Sequence, residues 1–259
     1  MHSTGFTVMF AAAVCGVCSI FVSGSAVLLK DRQEQNKVLD RQTKVLTVAG
    51  LMDEGDSLGR AEVQKLFEGN ITAVVVDLKS GQPAEGVDAA TFDQKKAAKD
   101  PATSEVAPEN DAKVPRIPHN ALLYQVKEGD TIKLLVLPIE GKGLWSTLYG
   151  FLALEADSNT VAGITFYQHG ETPGLGGEVD NPSWKARWPG RKAFDADWNP
   201  KIEVLKGAAG SVEDAPYNVD GLSGATITSR GVTHLVRFWL GEHGFGPYLT
   251  RYRSTLANK

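Results

Sequence analysis

The ten residues Asp220-Gly-Leu-Ser-Gly-Ala-Thr-Ile-Thr-Ser229 place four hydroxyl groups, on Ser223, Thr226, Thr228 and Ser229, within seven positions. Gly221 and Gly224 let the backbone turn tightly and come close to a ligand. An amphipathic stretch follows at once. From about Thr228 to His243, residues Val232, Leu235, Val236, Trp239 and Leu240 recur at i, i+3, i+4, i+7 and i+8, and Gly244 and Pro247 read as its stop. The first turn of such a helix offers free N–H groups and the positive end of the dipole, so a phosphate is a natural guest there. Ser and Thr are equally favoured at that position as plain N-caps. The residues alone leave both readings open.

Two further segments have compositions ill suited to a core. His169-Gly-Glu-Thr-Pro-Gly-Leu-Gly-Gly-Glu178 carries four glycines, a proline and the isolated Leu175. It suits backbone wrapped around a flat ligand with Leu175 on a ring face, or else a Gly-rich surface turn. Gly141-Lys-Gly-Leu-Trp-Ser146 sets Trp145 on a flexible hairpin, where an aromatic serves as a ligand or partner contact or turns inward to the core. No general acid–base apparatus accompanies them. His2, His119, His169, His234 and His243 lack metal-ligand spacing, His169 reads as solvated or structurally bonded, and the carboxylates form no recognisable pair. The chain contains neither a nucleophile elbow, a P-loop nor a dinucleotide fingerprint.

The elements that must position these segments are legible in outline. Gln33 to Leu51 reads as a juxtamembrane helix and Arg60 to Glu68 as a second. Ile71 to Leu78 is a β-branched run of strand length. Residues 82–118, with Pro83, Pro101, Pro108, Pro115 and Pro118 among many Ala and charged residues, read as a surface insertion or flexible excursion. Leu122–Val126, Thr131–Ile139, Thr147–Glu155 and Val161–Gln168 are strands with short connections, hence an antiparallel meander. Residues 169–200 are loops, Ile202–Leu205 one further strand, and the amphipathic helix closes the chain. The fold class is α+β: a largely antiparallel sheet domain flanked by helices.

Composition narrows the partners. A net charge of −4 over 259 residues argues against nucleic acid. Two cysteines make neither a disulfide framework nor a four-cysteine zinc site. Charge is absent from Met1 to Leu29, and Thr7–Leu29 is a 23-residue run of apolar and small residues. As a helix it would extend ~34 Å, enough to cross a hydrocarbon core. A cleaved signal peptide is the rival, with small residues at Ser23 to Ala26, but its basic n-region is missing. The run therefore reads as a retained single transmembrane helix. Ala11, Cys15, Ser19 and Ser23 give it a small-residue face suited to close helix approach or to a plain anchor. Cys15 and Cys18 read as small hydrophobes. Lys30, Arg32 and Lys37 after the span would, taken naively, keep the large domain cytoplasmic.

The three loop segments, in this order behind an N-terminal span, resemble the C subunits of bacterial Na⁺-translocating NADH:quinone oxidoreductases. The likeness covers most of the chain and is weakest over residues 82–118. It implies FMN joined through a phosphoester bond to Thr226, the last residue of Ser223-Gly224-Ala225-Thr226, with Asp220 and Thr228 extending the motif. It implies that Trp145, Glu171, Thr172, Leu175 and Gly176 gather around the isoalloxazine. It implies an anchor over residues 1–30, a flavin domain over 31–259, and an electron carrier in a sodium-pumping complex. The other membrane and soluble subunits would be its partners, and a flavin transferase would attach the FMN. The implied location is a bacterial inner membrane with a periplasmic flavin domain, against the basic flank. The flavin-bearing G subunit of the Rnf ferredoxin:NAD⁺ complex shares the flavinylation motif and is the nearest alternative; chain length, the 82–118 excursion and the G-K-G-L-W-S segment favour the former. A membrane-tethered module holding an anionic small molecule without redox chemistry is an alternative of a different class.

Overall fold

The structure, a computed structural model, describes residues 3–56 and 58–257; Met1, His2, Ser57, Asn258 and Lys259 lie outside the described residues. Two compact units divide the chain, Met1–Arg41 and Gln42–Lys259.

Helix α1 runs without a break over Thr4–Val48. The separate juxtamembrane helix expected over Gln33 to Leu51 is its continuation. The change from apolar to charged side chains at Lys30 alters the solvent the helix suits and leaves its backbone pattern intact, since no proline interrupts it. In the first unit Val8, Met9, Phe10, Ile20, Phe21 and Leu28 are exposed, and the helix is long and apolar enough to cross a membrane.

The second unit is built on one five-stranded sheet. Its strands are β1 (Ile71–Asp77), β4 (Asn120–Glu128), β5 (Thr131–Lys142), β6 (Thr147–Glu155) and β7 (Val161–Gln168), in that spatial order and antiparallel throughout. The expected meander is β4 to β7, and β1 closes its free side by pairing with β4. Strand alternation sorts the side chains. Leu123, Leu135, Leu137, Leu152 and Ile164 join one core with helix α5 (Thr226–Leu240), through its Val232, Leu235, Val236, Trp239 and Leu240. Burying each of these helix side chains contributes about 1.5–3 kcal/mol. Alternate residues face the other way, where helix α2 (Arg60–Asn70) sets Phe67 edge-on to Tyr124 at 5.8 Å and Val48 approaches Gly163.

Three expectations need correction. Residues 82–118 are folded: α3 (Gln94–Lys99) and the short pair β2 (Ser104–Val106) and β3 (Arg116–Pro118) form there, and Ala112, Val114 and Ile117 are buried in the core. Few apolar residues suffice because polar side chains hold the turns. Asn110 bonds the backbone of Pro108 and Val114, and Arg116 bonds Ser104. Secondly, α5 does not close the chain. Pro247 stands in the first turn of a further helix, α6 (Gly246–Ala257), where its missing N–H is not needed. Thirdly, the expected strand at Ile202 to Leu205 contracts to β8 (Glu203–Val204), and its parallel partner β9 (Asn218–Val219) is too short to show periodicity. Between β7 and β8 lie a single 3₁₀ turn, Gly176–Asp180, and the one-turn α4 (Pro182–Lys185).

The hairpin after β5 and the start of α5 touch backbone to backbone. A Cβ on Gly231 would lie 2.4 Å from the Lys142 carbonyl oxygen and 3.2 Å from Gly143 Cα. Gly231→Ala should therefore destabilise the protein by about 1–3 kcal/mol, measured by urea unfolding of the full chain in detergent. An unchanged midpoint would mean that α5 does not seat against the hairpin.

Candidate functional site

The three segments singled out by composition meet at one carboxylate. Glu171 is buried. Its Oε1 accepts from the Trp145 N–H, the Ser146 N–H and the Ser146 hydroxyl, each at 3.0 Å. Its Oε2 accepts from the Leu144 N–H at 3.1 Å and from the Thr228 hydroxyl at 2.8 Å. Burial pushes the Glu171 carboxyl up, but the Thr228 hydroxyl and the N–H groups of Ser146, Trp145 and Leu144 outweigh it and hold the group below the usual glutamate range. The carboxylate thus closes the hairpin turn and fastens it to the first turn of α5.

Two glycines make room for this knot. A Cβ on Gly143 would lie 2.7 Å from Glu171 Oε1, and one on Gly176 would lie 2.6 Å from Thr228 Oγ1 and 2.7 Å from Glu171 Oε2. Ser146 works in both directions, its hydroxyl also accepting from the Gly170 N–H at 2.8 Å. His169 has a structural place: its Nδ1 accepts from the Glu171 N–H at 3.2 Å, and its Nε2 faces Asp180 Oδ2 at 2.8 Å.

The hydroxyls before and within α5 divide into two sets. Thr228 is fully buried and committed to Glu171. Ser229 is buried, and its hydroxyl accepts from the Leu222 N–H at 3.0 Å, bending the preceding loop back on the helix. Thr226, the first residue of α5, is half-buried, Ser223 is exposed, and neither hydroxyl has a hydrogen-bond partner among the described residues. Asp220 is a loop organiser. Its Oδ1 accepts from the Ala209 N–H at 2.7 Å, its backbone carbonyl accepts from Trp184 Nε1 at 2.8 Å, and Arg187 lies 3.7 Å from its Oδ2.

Outward, the same loops present apolar side chains. Trp145 is 68% exposed, Ile227 56%, Leu175 45% and Leu144 39%. Gly224, at φ +69°, takes the left-handed turn ahead of α5, and a Cβ there would meet Leu175 Cδ2 at 3.0 Å. Leu175 is therefore beside the Ser223–Thr226 turn. Thr172 is exposed and its carbonyl accepts from the Leu175 and Gly177 N–H groups. The structure thus brings together Trp145, Glu171, Thr172, Leu175, Gly176 and residues 223–228, with Asp220 one turn upstream. Sequence reasoning assigned no role to Ser146 and Leu144, although they lie in a singled-out segment, and passed over Ile227. Ile227 carried a signal, an apolar side chain off the buried stripe of α5.

An unpartnered hydroxyl at a helix N-terminus, beside exposed apolar and aromatic side chains, fits a ligand with a phosphate at one end and a flat ring at the other. No acidic residue occupies the first turn of α5 to compete with such an anion.

Residues 143–241 match the FMN-binding domain family. The chain is 48% identical over 255 residues to the C subunit of the Na⁺-translocating NADH-quinone reductase of Pseudomonas aeruginosa, covering 97% of each chain. It is 51% identical over 239 residues to the protein of that name from Vibrio vulnificus, covering 92% of this chain and 91% of the relative. Among solved structures, Shewanella oneidensis NqrC superposes with a TM-score of 0.76 at 32% identity, over 86% of this chain and 99% of that one.

Replacing Glu171 by Gln keeps the shape but removes the charge and turns an amide NH₂ toward donors. We expect a loss of about 2–3 kcal/mol at neutral pH. Because the folded-state pKa is depressed, the stabilisation is present above the unfolded value near 4.3 and disappears as pH falls through the folded value. The stability gap between wild type and Glu171→Gln should therefore close below about pH 4, as followed by chemical denaturation at several pH values.

Proposed function

The chain belongs to the family of C subunits of Na⁺-translocating NADH-quinone reductases, and on that premise we propose that it is the flavin-carrying electron-transfer subunit of such a complex, holding FMN by a phosphoester bond to Thr226. One observation carries the choice of residue. Of the two threonines after Ala225, Thr228 is buried and spent on Glu171, whereas Thr226 is half-buried with an unpartnered hydroxyl at the first position of α5. FMN, when bound, supplies reversible electron transfer that no side chain here provides.

The protein's own contribution is position and surroundings. The free N–H groups and dipole of α5 favour a phosphate on Thr226. Leu175, Trp145, Leu144 and Ile227 offer apolar surface that keeps water from a flat ring, with Thr172 and Gly176 in the loop that carries Leu175. Glu171 holds that loop, the hairpin and the helix in one arrangement.

Residues 1–30 form a retained single-pass anchor in a bacterial inner membrane, and residues 31–259 a flavin domain on the periplasmic side. The orientation follows the family likeness against the basic flank. The other subunits of the complex and a flavin transferase are its partners. The near full-length likeness to C subunits of the sodium-translocating reductases favours this reading over the G subunit of the Rnf complex.

Thr226→Val, coexpressed with a flavin transferase, should lose the flavin fluorescence of the denatured gel band. Intact mass of the wild type should show an FMN-sized increment on an unshortened N-terminus. Thr228→Val should keep the band while losing about 1–2 kcal/mol of stability. The opposite pattern would assign attachment to Thr228. Leu175→Ala should leave attachment intact and shift the flavin potential; a titration matching wild type would remove Leu175 from the ring face.

A further inference from the structure

The segment 82–118 supplies none of the groups around Thr226, yet it builds a second concave site beside the hairpin. Helix α3, the loop Lys113–Arg116 and the ends of β5 and β6 enclose a cavity of about 270 Å³. Lys95, Lys99, Lys113 and Arg116 line it against one carboxylate, Glu140, with Tyr149 as an aromatic wall. Such a concentration of cations stands out in a chain of net charge −4.

Two of the cations are held by dedicated structure. Arg116 Nε donates to Ser104 Oγ and its Nη2 to the Ser104 carbonyl, both at 2.8 Å. The guanidinium is thereby fixed on one edge, and its Nη1 has no hydrogen-bond partner among the described residues. Lys113 sits at φ +54°, a left-handed conformation that costs a non-glycine residue about 1–2 kcal/mol. Asn110 maintains it, donating to the Pro108 and Val114 carbonyls and accepting from the Val114 N–H. Backbone strain sustained by a dedicated side chain is a mark of functional loops. Lys95 already lies over the Tyr149 ring, 3.4 Å from its centroid, and donates to Gln168 at 2.9 Å, so it forms part of the floor.

We propose that this cavity is a binding site for a small multivalent anion of carboxylate or phosphate chemistry. The exposed edge of a pre-oriented guanidinium matches the geometry of either oxyanion. Lys99 and Lys113 neutralise the second charge. The cavity is linked to the hairpin, because the Lys142 N–H donates to the Ala112 carbonyl at 2.8 Å.

Glu140 gives the site a pH dependence. Its carboxylate has no hydrogen-bond donor among the described residues; burial pushes it up, and Lys95 and Lys99 draw it down. The other groups lining the cavity are Lys113, Arg116 and Tyr149, whose phenol is pushed up by burial and by the Glu140 charge. A bound anion competes with Glu140 for the ammonium groups, so binding takes up a proton there. For an anion of fixed charge, affinity then falls as pH rises through the pKa of Glu140 in the bound state.

The anion is either free in solution or an acidic side chain of a neighbouring subunit. The full flavinylated chain in detergent would be titrated calorimetrically with inorganic phosphate and with succinate, at about pH 5 and about pH 8. We expect at least one probe to bind; both probes gain negative charge between these pH values, so the effect of Glu140 is read against Glu140→Gln, which should bind more tightly than the parent protein at the higher pH and by a smaller factor at the lower one. Arg116→Gln should weaken binding about tenfold or more. Lys113→Gly, which relieves the left-handed strain and so folds at least as well, should weaken it too. Absence of binding by both probes, or equal binding in Arg116→Gln and Lys113→Gly, overturns the proposal. Binding that persists in the purified complex identifies a free anion. Binding by the isolated chain alone identifies an acidic side chain of a neighbouring protein in the complex as the occupant.

Discussion

A carboxylate withdrawn from water must be met by donors, or it forces the protein open or takes up a proton. At Glu171 five donors meet it, four from the hairpin Leu144–Ser146 and one from Thr228. Neither segment can leave without stranding either a buried charge or buried N–H groups, so the hairpin, the Gly-rich loop and the start of α5 behave as one body. The glycines at 143 and 176 follow from the same knot, since any side chain there would occupy the carboxylate's own space. So does the sorting of hydroxyls: the knot takes Thr228 inward and leaves Thr226, two residues earlier on the helix, turned away from it.

What the sequence conveyed and what it withheld divide along the range of the interactions. The four meander strands and α5 follow from alternation and helical periodicity, which are local patterns that tertiary packing reinforces. The order within 82–118 was hidden because it rests on a few side-chain bonds without periodicity, Arg116 to Ser104 twelve positions away and Asn110 to Val114 within one turn, in a stretch whose composition resembles a linker. Helix α6 was hidden by Pro247, a residue that ends one helix and begins another with equal ease. Strand β9 exists only through its parallel pairing with β8.

At the candidate site, residue types singled out the segments that the fold brings together, because glycine-rich loops and lone apolar side chains cannot be explained by a core. The direction in which each side chain is spent was not legible. Glu171 was expected around a ring, and its carboxylate is committed to the Leu144–Ser146 hairpin and Thr228. Thr226 and Thr228 are indistinguishable in sequence and opposite in the fold. That distinction arises from long-range contact between residues 57 positions apart, which no local pattern encodes.

For an electron carrier of the kind proposed, this division of labour has a physical logic. Electron transfer requires little rearrangement of protein groups and no proton relay in the side chains, so the seat of a redox group gains from rigidity more than from reactive residues. A buried carboxylate saturated by donors supplies rigidity, because every one of its bonds must break before the loops can part. The apolar side chains can then remain on the outside, where a ring and a partner surface would need them. The scarcity of acid–base residues in the site and the saturation of its buried carboxylate are thus two consequences of the same requirement, a fixed apolar seat whose buried polar groups bond one another and leave the hydroxyl of Thr226 unspent.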